Sequence, residues 1–301
     1  MVPLTVDPQF LADALAAHAR DCALLTTLLA DNDSPNLRSL HWYDLPLSVA
    51  VSPTGQARVA EWNLNERQED EIAGNYDLVN LYFAPPPGDG LERSGATVWR
   101  CDALDSRPWF DGDSPVRRVL EENAEAVIRE YRTVADRILT HPDNASLVDR
   151  GRWTGMFLFG AKGVRNDELC ALCPDTTRLV ESLPLCRNFG FAMFSGMEPH
   201  THVEPHCGSS NLRLRHHLGI DVPEPGASRL RVGREWRPWA RGKCSAFDDS
   251  FEHEVVHEGE KARVILVVDV WHPGLGPRDV AVLSHPVFSR FGKVSRAAIT
   301  G

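Results

Sequence analysis

His206 and His253 are the residues of this sequence whose type and setting point most directly to chemistry. His206 stands in Pro205-His206-Cys207-Gly208, and His253 closes the run Phe247-Asp248-Asp249-Ser250-Phe251-Glu252-His253. Each lies beside a strand-like segment, so neighbouring strands of a barrel can present both imidazoles to one metal ion. Arg263 follows soon after, and its guanidinium can hold an acidic co-substrate beside that metal through a two-pronged bond to a carboxylate. Metal sites of the common two-histidine, one-carboxylate kind carry Asp or Glu two residues past the first histidine. Here that position is Gly208.

The segments around these residues have the character of short strands. After Phe189, apolar runs at 189–196, 211–220, 228–233, 243–248 and 262–271 are separated by Gly and Pro turns. Many short strands following helices predict a β-barrel or double-sheet jelly roll buttressed by helices. The run Arg263 to Val270 is apolar on both faces, which predicts a central strand. Along Asn211 to Leu218, alternation puts Arg213, Arg215 and His217 on one face and Leu212, Leu214, His216 and Leu218 on the other. Three cationic or polar groups pointing into a barrel are costly unless an anion meets them. The competing reading is a solvent-facing strand with a ladder of ion pairs.

Ahead of the barrel the spacing predicts helices. Leu11, Leu15, Cys22, Leu25 and Leu29 fall on one face of a helix over 7–30. Two strand-like runs, 45–52 and 57–64, flank Pro53-Thr54-Gly55 as in a hairpin, and 77–83 is another strand candidate. Pro85-Pro86-Pro87-Gly88-Asp89-Gly90 is the most loop-like stretch, which places a soft domain boundary near residue 100. Residues 1–100 then form an N-terminal α+β extension and 101–301 the barrel domain, so the class is α+β. Ser114 with Pro115 predicts a helix start, and the apolar spacing carries that helix to about Leu139. A shorter helix is predicted from Pro174 towards Leu183. Cys170 and Cys173, just ahead of it, read as two buried thiols in preference to half a zinc site, because no second pair accompanies them.

The net charge of −10 argues against nucleic-acid or anionic-membrane partners, which need basic patches. No apolar run approaches the roughly 20 residues that span a bilayer. The first thirty residues lack the basic start and compact apolar block of a signal peptide. Seven scattered cysteines suit a reducing compartment. The expected location is the cytoplasm.

The stretch His200 to Gly208, then Asn211 to Leu218, Phe247 to Val255 and Val267 to Pro273, resembles the aspartyl/asparaginyl β-hydroxylase family. Its members are Fe(II)- and 2-oxoglutarate-dependent oxygenases with a double-stranded β-helix (jelly-roll, cupin-like) barrel. The resemblance extends over roughly residues 104–275 and is densest over 195–273. It implies that His206 and His253 ligate iron and that Arg263, with Ser195, holds the distal carboxylate of 2-oxoglutarate. Arg215 and His217 are then expected near the chelating end of that co-substrate, and Arg213 is expected to face an anionic substrate. The family shares a small residue at the position of Gly208 and uses two protein ligands. Other 2-oxoglutarate oxygenases that lack the carboxylate bind chloride and halogenate, so halogenation is an alternative.

Glu204 departs from the aromatic residue that better-known members carry there. It is a candidate for substrate contact and equally for a rim ion pair. His202 is a candidate hydrogen bonder near the site. His200, His216, His257 and His272 read as structural or peripheral and Trp236, Trp239 and Trp271 as core or barrel-edge aromatics; the resemblance makes Asp248 and Asp249 turn residues behind the site, either of which can orient an imidazole. The expected reaction is hydroxylation, at the β-carbon, of an aspartyl, asparaginyl or related amino-acid moiety that is free, carrier-tethered or peptidic. A non-catalytic barrel binding an acidic ligand is the rival. The extension has three candidate roles: covering the barrel mouth, touching substrate, or forming a homodimer interface.

Overall fold

In the computed structural model the strand Arg263–Trp271 is buried along its whole length, and the fold is arranged around it. Val264, Leu266, Val268 and Val270 turn into a core shared with helices, whereas Ile265 and Val267 turn into a core between two sheets. Side chains alternate along a strand, so an unbroken apolar run is stable only where both faces are covered. The structure describes residues 20, 21, 23–30, 33–42, 99–160 and 163–290, with short strands at 4–5, 49–51, 56–59, 78–80 and 293–295.

From residue 139 the strands are β1 (Leu139–Thr140), β2 (Val148–Arg150), β3 (Trp153–Phe159), β4 (Ala192–Met197), β5 (Thr201–His206) and β6 (Arg213–Asp221). They continue as β7 (Ser228–Val232), β8 (Glu235–Pro238), β9 (Cys244–Phe247), β10 (His253–His257) and β11 (Arg263–Trp271). A six-stranded sheet has the order β9-β6-β11-β4-β3-β1, and a five-stranded sheet has the order β8-β7-β10-β5-β2. The chain passes back and forth between them, with β4, β6, β9 and β11 in the first and β5, β7, β8 and β10 in the second. Antiparallel pairing throughout makes this a double-stranded β-helix, and with its helices the class is α+β.

The five expected strands coincide with β4, β6, β7, β9 and β11 to within a few residues. Strands β3, β5, β8 and β10 are not legible from local pattern. Gly155 interrupts β3, Pro205 interrupts β5, β8 is mostly polar and ends at Pro238, and β10 begins and ends on a histidine.

The helix expected to run from Pro115 to about Leu139 is divided. It forms α1 (Pro115–Glu122) and α2 (Ala124–Val134), then a 3-10 turn at Ala135–Arg137, and Leu139 is already in β1. The break is at Asn123, whose side-chain amide donates back to the Val119 carbonyl at 2.8 Å. A short amide that bonds its own backbone competes with helix continuation. Ser114 caps α1 as expected, accepting from the Arg117 N–H. Helix α3 (Asp167–Leu172) precedes α4 (Pro174–Glu181), and the Glu130 carboxylate of α2 accepts the Asp175 and Thr176 N–H groups at 2.7 Å each. A carboxylate on the unsatisfied amides of a helix start stabilises that end and ties α2 to α4. Leu120, Val127, Ile128 and Val180 of these helices cover Leu214, Leu218, Leu266 and Val268 of the six-stranded sheet. Cys170 and Cys173 are buried free thiols, and burial pushes Cys173 up to about 12.

Of the helix expected over 7–30, residues 20, 21 and 23–30 are helical, and the others lie outside the described residues. The expected hairpin is present as Val49–Val51 against Gln56–Val59. The strand expected at 77–83 is present as Leu78–Asn80, paired with Lys293–Ser295. The remainder of these runs and the Pro85 to Gly90 loop lie outside the described residues. Near the expected boundary, Trp99–Cys101 pairs with Leu40–Trp42. Leu25, Leu37, Leu40 and Trp99 share a core with Leu212, Trp271 and Phe288 at one end of the barrel.

Candidate active site

His206 ends β5 and His253 begins β10, and the two face each other across that antiparallel pair. A bulge between Val203 and His206 lets both Val203 and His206 line the same cavity. The two imidazole centroids are 4.1 Å apart. Each ring is oriented by its own strand: Nδ1 of His206 bonds the Glu204 carbonyl at 2.7 Å, and Nδ1 of His253 bonds the Phe251 carbonyl at 2.9 Å. A carbonyl only accepts, so each Nδ1 carries the proton and each Nε2 keeps its lone pair for a metal. Burial lowers the pKa of both rings, and that of His253 lies well below the ordinary value. Both are therefore neutral, the form that ligates.

Asp248 and Asp249 were expected to orient an imidazole, and the backbone carbonyls do so instead. Asp248 is occupied by the Ser106 hydroxyl at 2.7 Å and the Ser250 hydroxyl at 2.6 Å. Asp249 bonds Arg213 at 2.6 Å and lies 3.2 Å from Arg215. Burial would raise the Asp249 pKa, but the two guanidinium groups hold it well below the usual carboxylate range.

Gly208 has a steric cause. A Cβ built there would lie 2.6 Å from the Asp249 carboxylate and 2.8 Å from the Asp249 carbonyl. The Gly208 N–H bonds that same carbonyl at 2.6 Å. No side chain fits at 208 without moving the loop ahead of His253. Among the described residues, no group of three or more His, Cys, Asp or Glu is arranged to hold a metal. The two histidines stand as a pair.

Arg263 lies deeper in the same cavity and is 1% exposed. Its partners are the Ser228 hydroxyl at 3.3 Å, the Ser195 carbonyl at 3.4 Å and the Met197 sulfur at 2.9 Å. The Trp239 ring lies 4.2 Å from the guanidinium carbon. Among the described residues no carboxylate pairs with it, and burial pulls its pKa down to about 9. An unpaired buried charge costs several kcal/mol, a cost that an anion from outside would offset. The Ser195 hydroxyl accepts the Trp153 indole N–H at 2.9 Å, which leaves its own proton free to donate to such an anion.

Arg215 and His217 line the cavity between the histidines and Arg263. Arg215 is fixed by two bonds to Asp269, at 2.8 and 2.9 Å, and by stacking on Phe191. His217 is packed against Phe247 and Trp239, and burial holds it neutral. The cationic face expected of β6 is present, yet Asp249 and Asp269 already meet part of it. Arg213, expected to face a substrate anion, is buried outside the cavity lining against Asp249 and within 3.6 Å of Asp269.

His202 and Glu204 also lie outside the cavity lining. The His202 ring bridges Asp149 at 2.8 Å and Glu254 at 2.9 Å. The structure therefore brings together His206, His253, Ser195, Arg215, His217 and Arg263, and sets apart Arg213, Glu204 and His202. The sequence does not single out Trp153, Met197 or Ser228, and it reads Trp239 as a core or barrel-edge aromatic. Alternation along β7 carried one usable signal, since it puts Ser228 on the same side as Leu230, which lines the cavity.

A double-stranded β-helix that gathers two imidazoles at one end of its cavity and buries a lone guanidinium further in defines a jelly-roll protein with a candidate metal-and-anion site. The sequence profile of the family Aspartyl/Asparaginyl beta-hydroxylase matches residues 121–273, and the chain belongs to that family. It is similar to the human aspartyl/asparaginyl beta-hydroxylase, at 37% identity over 61% of this chain and 26% of that protein. It is 41% identical to the human aspartate beta-hydroxylase domain-containing protein 1, over 64% of this chain and 52% of the relative. The Rhizobium tropici ornithine lipid ester-linked acyl 2-hydroxylase is 37% identical over 47% of this chain and 50% of its own length. The chain thus spans between a quarter and about half of the curated relatives it matches.

Proposed function

We propose that this protein is an Fe(II)- and 2-oxoglutarate-dependent hydroxylase of an unactivated carbon, the β-carbon of an aspartyl, asparaginyl or related amino-acid moiety. The observation that carries the reading is Arg263, a buried guanidinium without a carboxylate partner among the described residues, sharing a cavity with two neutral imidazoles. That donor set fits the groups it would hold. His206 and His253 supply two neutral nitrogen ligands to iron, and Arg263 with Ser195 supplies the clamp for the distal carboxylate of 2-oxoglutarate. Iron(II) with 2-oxoglutarate and O₂ supplies hydroxylation of a C–H bond, with succinate and CO₂ as co-products.

The chain's own residues bind, orient and exclude water. Arg215, held rigid by Asp269 and Phe191, and His217, held neutral, offer hydrogen bonds near the chelating end of the co-substrate. Phe191, Val203, Phe247 and Val255 keep the lining apolar around the reacting groups. The cavity lining runs continuously from His206 and His253 past Arg215 and His217 to Arg263.

Asp249 supports hydroxylation over halogenation. Its carboxylate, held by Arg213 and Arg215, fills the space beside Gly208 where a missing ligand would otherwise leave room for chloride. No helix among the described residues is long and apolar enough to cross a membrane. The buried free cysteines suit a reducing compartment, and the cytoplasm is the location this reading adopts.

The test is succinate formation by anaerobically purified protein given Fe(II), 2-oxoglutarate and air. The substrate panel spans free, peptidic and carrier-bound aspartyl and asparaginyl groups and an acylated ornithine. Substrate-dependent succinate that His206→Ala abolishes is the expected result. Absence of succinate across the panel would favour a barrel that binds an acidic ligand without turnover.

A further inference from the structure

Both histidines depend on loops whose ends are held by one segment ahead of the matched family region. The loop after His206 runs through Gly208 to Asn211, and the loop before His253 runs from Phe247 to Glu252. On the first loop, the Trp99 N–H donates to the Ser209 carbonyl at 2.9 Å, and Trp99 forms a parallel bridge with Ser210. Asn211 closes a two-way bond with Cys101, accepting its N–H at 2.8 Å and donating to its carbonyl at 3.0 Å. On the second loop, the Ser106 hydroxyl donates to the Asp248 carboxylate at 2.7 Å, and the Asp248 N–H donates to the Pro108 carbonyl at 3.2 Å. Trp109 bridges Phe247, and the Phe110 N–H donates to the Ala246 carbonyl at 2.9 Å. Between these two attachments the Asp105 carbonyl is bonded by His272, just past the end of β11, at 2.9 Å.

Trp99, Cys101, Leu104 and Trp109 are each buried, so the segment is seated on the barrel rather than lying loosely over it. The two loops also touch each other through the Gly208 N–H and the Asp249 carbonyl. Their relative position is therefore set from both sides. Interactions behind the ligands commonly decide metal affinity by fixing ring orientation.

We propose that residues 99–110 form a strap that fixes the separation of His206 and His253, with Ser106 of the strap and Asn211, to which its Cys101 is bonded, as positioning residues. The proposal rests on the reading of these histidines as a metal pair. It assigns part of the metal site's geometry to a segment ahead of residues 121–273.

The test is titration of the full chain with cobalt(II), whose visible absorption reports its ligand field. Ser106→Ala and Asn211→Ala should each weaken cobalt binding about tenfold and change the absorption band. Ser106→Thr keeps the hydroxyl and should restore both. Asn166→Ala, which removes the cap of α3 far from the site, controls for general destabilisation. If Asn211→Ala does not fold, the Ser106 pair decides alone. Wild-type affinity and spectrum in Ser106→Ala would overturn the strap, as would an equal loss in Asn166→Ala. Cobalt binding unchanged by His206→Ala would instead overturn the metal-pair reading, and the strap with it.

Discussion

Gly208 and Asp249 occupy one space: the hydrogen of the glycine points where a Cβ would come within 2.6 Å of the aspartate carboxylate. Asp249 is held there by Arg213 and Arg215, so the glycine is the partner that yields. The lack of a carboxylate side chain at position 208 is thus a consequence of packing.

Gly208→Asp should not create a three-ligand site. Crowding of this kind costs about 1–3 kcal/mol, and the new carboxylate would be buried against an existing one. Denaturant unfolding should show the loss, and metal titration should show no gain in affinity. Tighter metal binding in a variant of unchanged stability would contradict this account.

Arg263→Met should separate binding from folding. An uncompensated buried cation lowers stability, and a methionine of similar reach removes it. The variant without ligand should melt at or above the wild-type temperature. Its affinity for 2-oxoglutarate should fall about 100-fold or more. A lower melting temperature with unchanged co-substrate affinity, read by calorimetry, would make Arg263 a structural residue.

Trp153→Phe keeps the ring stacked on His141 but removes the N–H that Ser195 accepts. A hydrogen bond of this kind is worth about 1 kcal/mol, so co-substrate affinity should weaken about fivefold. Turnover at saturating co-substrate should stay near wild type. A loss confined to kcat would place the indole at the reacting carbon instead.

His141 makes stability depend on pH. Burial lowers its pKa from 6.5 to about 4. A histidine depressed in the folded state contributes stability that is complete above its unfolded value and is lost as pH falls towards the folded one. Stability should therefore decline between pH 6.5 and 4, and the depressed His216, also at about 4, adds to the slope. In His141→Asn the amide oxygen can still accept the Asp143 N–H. That variant should lose about one proton of slope, roughly 1.4 kcal/mol per pH unit at its steepest. An unchanged slope would mean that His141 takes up its proton in the folded chain over the same range as in the unfolded one.

The sequence by itself determined the histidine pair, the arginine, the central strand Arg263–Trp271 and the capped start at Ser114. Each is written in local chemistry: an apolar run with no polar face, a Ser-Pro dipeptide, charged residues in strands that must be buried. The opposite faces of β6 were legible for the same reason, because alternation is a property of one strand alone. The single long helix expected from spacing is two helices, since the break at Asn123 comes from one amide bonding its own backbone and the apolar spacing continues across it.

Only the tertiary structure decided where the counter-charges lie. Along the sequence Arg213, Arg215 and Arg263 are each expected to meet an anion from outside, in different roles. Asp249 and Asp269, distant in the chain, meet the first two, and among the described residues nothing acidic meets the third. Which carboxylate reaches which guanidinium depends on the register of β6 against β11 and on the loop ahead of β10. Neither is encoded within a single segment. The steric reason for Gly208 and the reach of residues 99–110 to both histidine loops are long-range facts of the same kind.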